Sequence, residues 1–248
     1  MTSLPHATGS PADRAPEAAA QHRPQASPFI LASASPSRAA ILHSLGITFE
    51  VEVSAVDEPA LVAHASSERG PENPLTSAEE ALLLGRAKAE AVAGRYLHGS
   101  DSPTSDSPFI LGCDSVFELD GTSYGKPLDP ATCVRRWHAM RGQTGVLHTG
   151  HWMIREDQAL GEIVSTSVTF GEPSDDQIRA YAATGEPLRC AGGFTIDGRG
   201  AAFIRGVDGD HQAVIGLSGY TVARLIQELG GDITQWWPAT PSSALPGP

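Results

Sequence analysis

The sequence is poor in positive charge and poorest of all in lysine. It carries 17 Lys or Arg residues against 29 Asp or Glu, a formal net charge of −12. Such a surface repels polyanions, so we expect no nucleic-acid partner. The basic residues are all arginines except Lys88 and Lys126. Because an ammonium is a compact point charge and a guanidinium is a planar fork, the two lysines indicate contacts to single phosphate oxygens; the alternative is chance survival in an arginine-biased composition.

Cysteine and long apolar runs are also scarce. Cys113, Cys133 and Cys190 are odd in number and widely spaced, which argues against a disulfide framework or a zinc knuckle and predicts a reducing, cytoplasmic setting. No apolar run approaches the ~20 residues that span a bilayer, so no membrane association is expected. His148 and His151 lie three apart in a strand-like segment, on opposite faces, and are interpreted as structural residues.

The two ends of the chain lack large apolar side chains. Residues 1–27 are dominated by Ala, Pro, Ser, Gln and Arg, and the residues after the tryptophans near the C-terminus are Pro, Ser and Ala. Such segments bury too little apolar surface to offset chain entropy. The sequence therefore predicts a disordered extension over residues 1–27, one domain over 28–235 and a disordered tail over 236–248.

Within that domain, short apolar runs alternate with capped helical patterns. Period-2 or fully apolar stretches predict strands, and Ser, Thr or Asp followed by Pro or Glu predicts helix starts. Interspersed strands and helices, with a hairpin signal at Asp120-Gly121, predict a mixed α/β sheet flanked by helices. Predicted strands cover residues 28–32, 49–53 (half-buried), 109–113, 116–119, 147–154, 163–170 and 201–205; helices cover 36–45, 77–96, 130–141, 175–184 and 219–229; loops cover 55–58 and 99–107.

The junction at residues 31–38 (LASASPSR) joins a buried strand to a helix N-terminus. Free backbone amides and the positive end of the helix dipole favour an anion there. Ser33, Ser35 and Ser37 add hydroxyl donors, and Arg38 adds a positive charge. The alternative is an ordinary capped helix start, which uses the same residue types.

Two acidic positions are candidates for chemistry. Asp114 follows a buried apolar run, where a carboxylate can bind a metal or act as a general base; the alternative is a turn aspartate. Glu58 ends a polar loop beside Asp57, as a metal ligand or as part of a solvated acidic pair. Lys126 lies in a Gly-Lys-Pro sequence that is not a P-loop, because the lysine is followed by Pro rather than Ser or Thr.

Taken in order, eight segments resemble those of the Maf proteins, which are nucleoside triphosphate pyrophosphatases once described as septum-formation inhibitors. The resemblance covers about residues 28–230, and both lysines fall on its motifs. The segments are residues 31–38 (LASASPSR), 56–58 (VDE), 86–89 (RAKA), 112–116 (GCDSV), 125–127 (GKP), 181–188 (YAATGEPL), 191–194 (AGGF) and 214–217 (VIGL).

The resemblance implies two lobes around a central cleft, related to the inosine-triphosphate pyrophosphatases. It implies hydrolysis between the α- and β-phosphates of a nucleotide, with Mg²⁺ or Mn²⁺ as cofactor. The cellular role that it implies is the clearance of modified or non-standard nucleotides. By position, Asp114 matches the proton acceptor and a metal ligand, and Glu58 the acidic metal-side residue. The phosphate-binding set matches Ser33, Arg38, Lys88 and Lys126, with Ser35 as a further substrate-binding hydroxyl.

The resemblance leaves the base preference open. Three family positions that read the base hold Ser37, Ser115 and Asp197 here. The pyrimidine-preferring branch has Arg, Thr and Gln there, and the 7-methylguanosine-preferring branch has Trp, Gln and Glu. A homodimer is the oligomeric state that the family suggests. The alternative function is a nucleotide-binding regulator of cell division with little turnover, which has no need of a candidate base.

Overall fold

A computed structural model describes residues 26–97 and 107–238. All but the last residue of the predicted loop at 99–107, and most of the two predicted disordered ends, lie outside the described residues. In chain order the elements are β1 (Phe29–Leu31), α1 (Pro36–Ser44), β2 (Glu50–Val51), α2 (Glu58–Arg69), α3 (Ser77–Leu97), β3 (Phe109–Leu119), β4 (Thr122–Tyr124), α4 (Pro130–Met140), β5 (Thr144–Arg155), β6 (Gln158–Phe170), α5 (Asp175–Ala183), β7 (Ile204–Asp208), α6 (His211–Ile215) and α7 (Gly219–Glu228), with 3₁₀ turns at Glu186–Arg189, Ala191–Gly193, Arg199–Phe203 and Ile233–Trp236. Among these helices, none is long and apolar enough to cross a membrane.

The seven strands form one mixed sheet, as predicted, in the order β2-β1-β3-β5-β6-β7 with β4 also paired to β3. One edge of β3 pairs with β5 over residues 110–118. The other edge pairs with β1 at residues 109–111 and with β4 at residues 117–119. Residues 112–116 therefore have a strand neighbour on one side only, and we call this stretch of open edge the β3 gap.

Two large hydrophobic cores lie on either side of the β3 gap. One contains the start of β3 and residues of α1 and α7, including Phe109, Leu42 and Leu225. The other contains the end of β3 and residues of α4 and α5, including Phe117 and Trp137. A chain with two such cores joined by one long strand has two lobes, and the β3 gap lies between them.

Helix α3 approaches the sheet unusually closely above this gap. A Cβ added at Gly112 of β3 would lie 2.1 Å from the Gly85 carbonyl oxygen, and one added at Gly150 of β5 would lie 2.5 Å from the Ala81 carbonyl. Real Cβ atoms do not approach other atoms so closely, so glycine is required at these two positions. The contact brings Lys88, one helical turn beyond Gly85, next to the middle of β3.

Two predictions around residues 49–58 were wrong. The predicted half-buried strand is the two-residue edge strand β2, and Val51 and Val53 are 51% and 57% exposed. The predicted loop at 55–58 ends one residue early, because Glu58 opens helix α2 and Asp57 caps it by accepting a hydrogen bond from the Ala60 amide (3.1 Å). Helix α2 has no buried residue, so it has no apolar stripe to reveal it in the sequence.

The predicted strand at 201–205 was also wrong. A 3₁₀ turn occupies Arg199–Phe203, and β7 begins only at Ile204. Glycine explains the difference, because a side chain at Gly200 would lie 2.4 Å from the Thr195 carbonyl oxygen and the chain folds back on itself there. Helix α6, a single short turn, was not predicted.

Contacts near both predicted domain boundaries extend the packed region slightly. The Trp236 ring packs edge-on against Phe29, with 5.6 Å between ring centroids, and its indole N–H donates to the Ser27 carbonyl (3.1 Å). The Trp237 indole donates to the Leu45 carbonyl (2.7 Å). Residues just outside 28–235 thus pack against the domain, and the boundaries themselves stay a prediction.

Candidate active site

Asp114 lies at the centre of the β3 gap, and its side chain is 14% exposed. Its Oδ1 is 3.1 Å from Lys88 Nζ and 3.6 Å from Arg38 Nη2. Strand β3 continues through this residue instead of ending there, so the alternative of a turn aspartate is wrong. A partly exposed carboxylate held between two cations can serve as a base or a metal ligand.

Lys88 joins two carboxylates at this point. Its Nζ is 2.7 Å from Glu58 Oε1 as well as 3.1 Å from Asp114 Oδ1, and its side chain is only 10% exposed. Glu58 comes from the first turn of α2, Lys88 from the middle of α3 and Asp114 from β3. Three elements distant in sequence therefore meet at one ammonium group.

Arg38 occupies the first turn of α1 and is buried. Its Nε donates to the Gly216 carbonyl (2.8 Å), Nη1 to Ser33 Oγ (3.0 Å) and Nη2 to Ser115 Oγ (3.2 Å). Asp114 and Ser115 are successive strand residues, whose side chains point to opposite faces of the sheet. Because Nη2 is near both, the guanidinium must lie at the open edge that the β3 gap provides.

The serines at the start of α1 have different roles. Ser35 occupies the N-cap position, yet its hydroxyl makes no capping hydrogen bond, contrary to the predicted helix cap. Ser33 Oγ instead accepts from both the Ser35 amide (3.2 Å) and Arg38. A hydroxyl has two acceptor sites and one donor, so Ser33 keeps its own hydrogen for a further acceptor, such as a phosphate oxygen.

The structure leaves Lys126 and Asp197 apart from this cluster. Both are exposed and belong to the second lobe. Burial raises the pKa of the nearby Cys190 thiol, the Asp197 charge raises it further and the Lys126 charge lowers it, so both side chains lie near the same thiol. Ser37 is half-buried beside Arg38 on α1. The structure thus groups Ser33, Arg38, Glu58, Lys88, Asp114 and Ser115, and it does not join Lys126 or Asp197 to them.

One acidic residue near Asp114 was not predicted from the sequence. Glu80 is half-buried in the first turn of α3; burial raises its pKa, the Asp114 charge raises it further, and a hydrogen bond with Ser123 opposes both. In the sequence, the spacing of Ser77 and Glu80 fits a helix capping box. The capping box is made instead by Thr76 and Glu79, whose side chains bond each other's backbone amides (3.2 and 3.0 Å), so a helix-start pattern concealed Glu80.

The site can supply a metal with carboxylate oxygens but not with a closed cage. Within the described ranges, no group of three or more His, Cys, Asp or Glu residues is arranged to hold a metal ion. Glu58 and Asp114 nevertheless both lie within 3.1 Å of one atom, Lys88 Nζ, and each meets it through one carboxylate oxygen. Mg²⁺ is typically bound by one or two carboxylates together with substrate phosphates, so this donor set fits.

Fold and site together define a two-lobed α/β protein with an anion-binding cluster around a carboxylate. Residues 28–229 match the family model described as Maf-like protein. The nucleoside triphosphate pyrophosphatase of Streptomyces coelicolor is 46% identical over 212 residues, 84% of this chain and 94% of that protein. Those of Leifsonia xyli and Thermosynechococcus vestitus are each 44% identical, covering 84% and 82% of this chain and 95% and 94% of theirs. The chain belongs to the Maf family, which confirms the resemblance and the mixed α/β fold predicted from the sequence.

Proposed function

We propose that this protein is a nucleoside triphosphate pyrophosphatase that cleaves a nucleotide between its α- and β-phosphates, giving a monophosphate and pyrophosphate. The carrying observation is the cluster in which Arg38 and Lys88 lie 3.6 and 3.1 Å from Asp114 at the β3 gap. The curated relatives with 39–46% identity are named nucleoside triphosphate pyrophosphatases, which supports the same activity. The cellular role follows as clearance of modified or non-standard nucleotides.

In this proposal the phosphates bind to the first lobe. Phosphoryl transfer depends mainly on positioning and on neutralising charge. Arg38, Lys88, the free Ser33 hydroxyl hydrogen and the backbone amides at the start of α1 offer positive charge and donors within one small region. Lys126, from the second lobe, reaches the same polyphosphate from the opposite side of the β3 gap.

Asp114 is the proposed proton acceptor. A water molecule beside its carboxylate is oriented for attack on a phosphorus atom and gives up its proton to Asp114. Ser37, beside Arg38 on α1, and Asp197, an exposed residue of the second lobe, are the proposed base-selecting residues, because both match family positions that read the base.

Glu58 and Asp114 are the proposed ligands of a divalent cation, Mg²⁺ or Mn²⁺, shared with the phosphates. Such a cation, when bound, adds Lewis-acid polarisation of the phosphoryl oxygens. Lys88 is the residue most affected, because its ammonium lies between the same two carboxylates.

The test is pyrophosphate release from a panel of standard and modified nucleoside triphosphates, with Mg²⁺ and with Mn²⁺. The Asp114→Asn variant is the matched control, because it keeps the size of the side chain and removes the base. We expect equimolar pyrophosphate and monophosphate from the unmodified protein only. Release of orthophosphate would contradict cleavage at the α–β bond, and tight nucleotide binding without turnover would favour the regulator.

A further inference from the structure

We infer that Ser115 and Thr149 are positioning residues that orient the Arg38 guanidinium, and that the Ser115 hydroxyl cannot donate a hydrogen bond to a base. The inference rests on the proposed phosphate-binding role of Arg38. Ser115 Oγ lies 3.2 Å from Arg38 Nη2 and 3.0 Å from Thr149 Oγ1, and Thr149 Oγ1 lies 2.8 Å from the Ala213 carbonyl oxygen. These three contacts form one continuous hydrogen-bond chain.

The direction of every hydrogen bond in this chain is fixed by the donors available. A carbonyl oxygen only accepts, so Thr149 spends its single hydroxyl hydrogen on Ala213. Thr149 must then accept from Ser115, which in turn has no hydrogen left and must accept from Arg38. A guanidinium only donates, so it is the correct group to end such a chain. The Ser115 hydroxyl therefore has no donor to offer a nucleobase.

The chain closes into a ring through a second contact of Arg38. Arg38 Nε donates to the Gly216 carbonyl, three residues beyond Ala213, on the turn that follows α6. The guanidinium is thus tied to one short segment both directly and through Ser115 and Thr149. With a third N–H on Ser33, two of its five N–H groups remain, one on each terminal nitrogen, for Asp114 and for an anion.

Thr149 is shielded from any substrate. Its exposure is 0%, and it lies directly opposite Ser115 in the β3–β5 register. An effect of Thr149 on phosphate binding must therefore pass through Ser115 and Arg38. Thr166 of β6 provides a matched control, because it is equally buried and exchanges hydrogen bonds with the backbone of Asp210 (3.2 and 3.1 Å), next to α6 but outside the chain to Arg38.

The experiment compares Thr149→Val, Thr149→Ser and Thr166→Val by two measurements: tripolyphosphate affinity by calorimetry, and kcat/KM for pyrophosphate release from several nucleotides. Misplacing a binding group by about 1 Å costs up to ~10²-fold, so we expect Thr149→Val to lose about 10–100-fold in both. Thr149→Ser, which restores the hydroxyl, should stay within about threefold of the unmodified protein. Thr166→Val should lose thermal stability comparably but keep tripolyphosphate affinity.

Two further results separate this role from its competitors. Ser115→Ala should reproduce the loss without changing the ranking of bases, and the Ser115→Ala/Thr149→Val double variant should lose no more than either single variant, because the residues act in series. A changed base ranking in Ser115→Ala, or full tripolyphosphate affinity in Thr149→Val, overturns the inference. If Thr149→Val fails to fold, Ser115→Ala alone decides. Absence of pyrophosphate release from the unmodified protein would sink the proposed function instead, while the calorimetry still tests the chain.

Discussion

The lysines of the two lobes differ in their burial and in their contacts. Lys88 of the first lobe is 10% exposed and contacts two carboxylates, whereas Lys126 of the second lobe is exposed and lies near Cys190. A buried ammonium between carboxylates is held in place before substrate arrives, which lowers the entropy lost on binding. An exposed lysine keeps its rotamer freedom and loses it only when an anion is bound. In the proposed function the first lobe is thus a preassembled anion site, and the second lobe is an adaptable partner.

The largest expected effect comes from removing the carboxylate at the centre of the preassembled half. Asp114→Asn should lower kcat by at least ~10²–10⁴-fold, since the proposed base is lost together with a proposed metal ligand. Steady-state pyrophosphate release measures this, and circular dichroism checks the fold. Turnover equal to that of the unmodified protein would remove Asp114 from the mechanism.

A direct comparison of the two lysines follows. Lys88→Arg should lower kcat/KM far more than Lys126→Arg, because a wider, planar group must fit a buried space between Glu58 and Asp114, whereas the exposed position accommodates it. We expect roughly 10²-fold and less than tenfold losses, respectively. The same pyrophosphate assay measures both. Equal losses would mean that the two lobes hold the phosphates in the same way, and unchanged kcat/KM in both would return the lysines to chance.

The free energy of unfolding should depend on pH through His151, which lies in the first lobe. Its Nε2 accepts from the Ser218 amide (2.9 Å), just beyond the turn that binds Arg38. Burial, followed by the Arg38 charge, lowers the pKa of His151 to about 4, against weaker opposing effects of the Thr149 backbone and Asp210. Because the unfolded chain takes up this proton near pH 6.5, the free energy of unfolding should fall as pH drops from about 6.5 to about 4, by up to about 3 kcal/mol at about 1.4 kcal/mol per pKa unit.

Denaturant unfolding at several pH values measures this slope. His151→Gln supplies an acceptor without a titrating ring, so its free energy of unfolding should vary less between pH 7 and pH 4. Identical pH dependence in the two proteins would show that other groups cause the acid sensitivity.

The smallest expected effect concerns the adaptable lobe and the base. An ionised carboxylate only accepts hydrogen bonds, so Asp197 should favour a base that presents N–H donors, as guanine does. Asp197→Gln should shift the ranking of kcat/KM toward uracil or thymine nucleotides, by about tenfold, the value of one hydrogen bond in a partly closed site. An unchanged ranking would make Asp197 an ordinary turn residue before Gly198.

Local signals explain what the sequence predicted well. The apolar run before Asp114 and the serine-rich junction ending at Arg38 are properties of neighbouring residues, and both segments lie where the patterns placed them. The partners of Arg38 could not be predicted from such local signals. Gly216 is 178 residues away and contributes a backbone carbonyl, which every residue type has. The prediction that Val51 and Val53 lie in a half-buried strand was wrong for a related reason. Alternation indicates which side chains share a face of a strand, but not whether another element covers that face.

Helix α3 touches the sheet at positions where side-chain atoms are missing. The separation between Lys88 Nζ and Asp114 Oδ1 therefore depends on Gly112 and Gly150, neither of which has any functional group. A single methyl group at Gly112 would act as a spacer under the helix and lift the ammonium away from the carboxylate while leaving both side chains chemically intact. The distance between Lys88 and Asp114 thus depends on two positions that have only hydrogen in place of a side chain. One added carbon atom there would separate the candidate active-site residues without altering any of them.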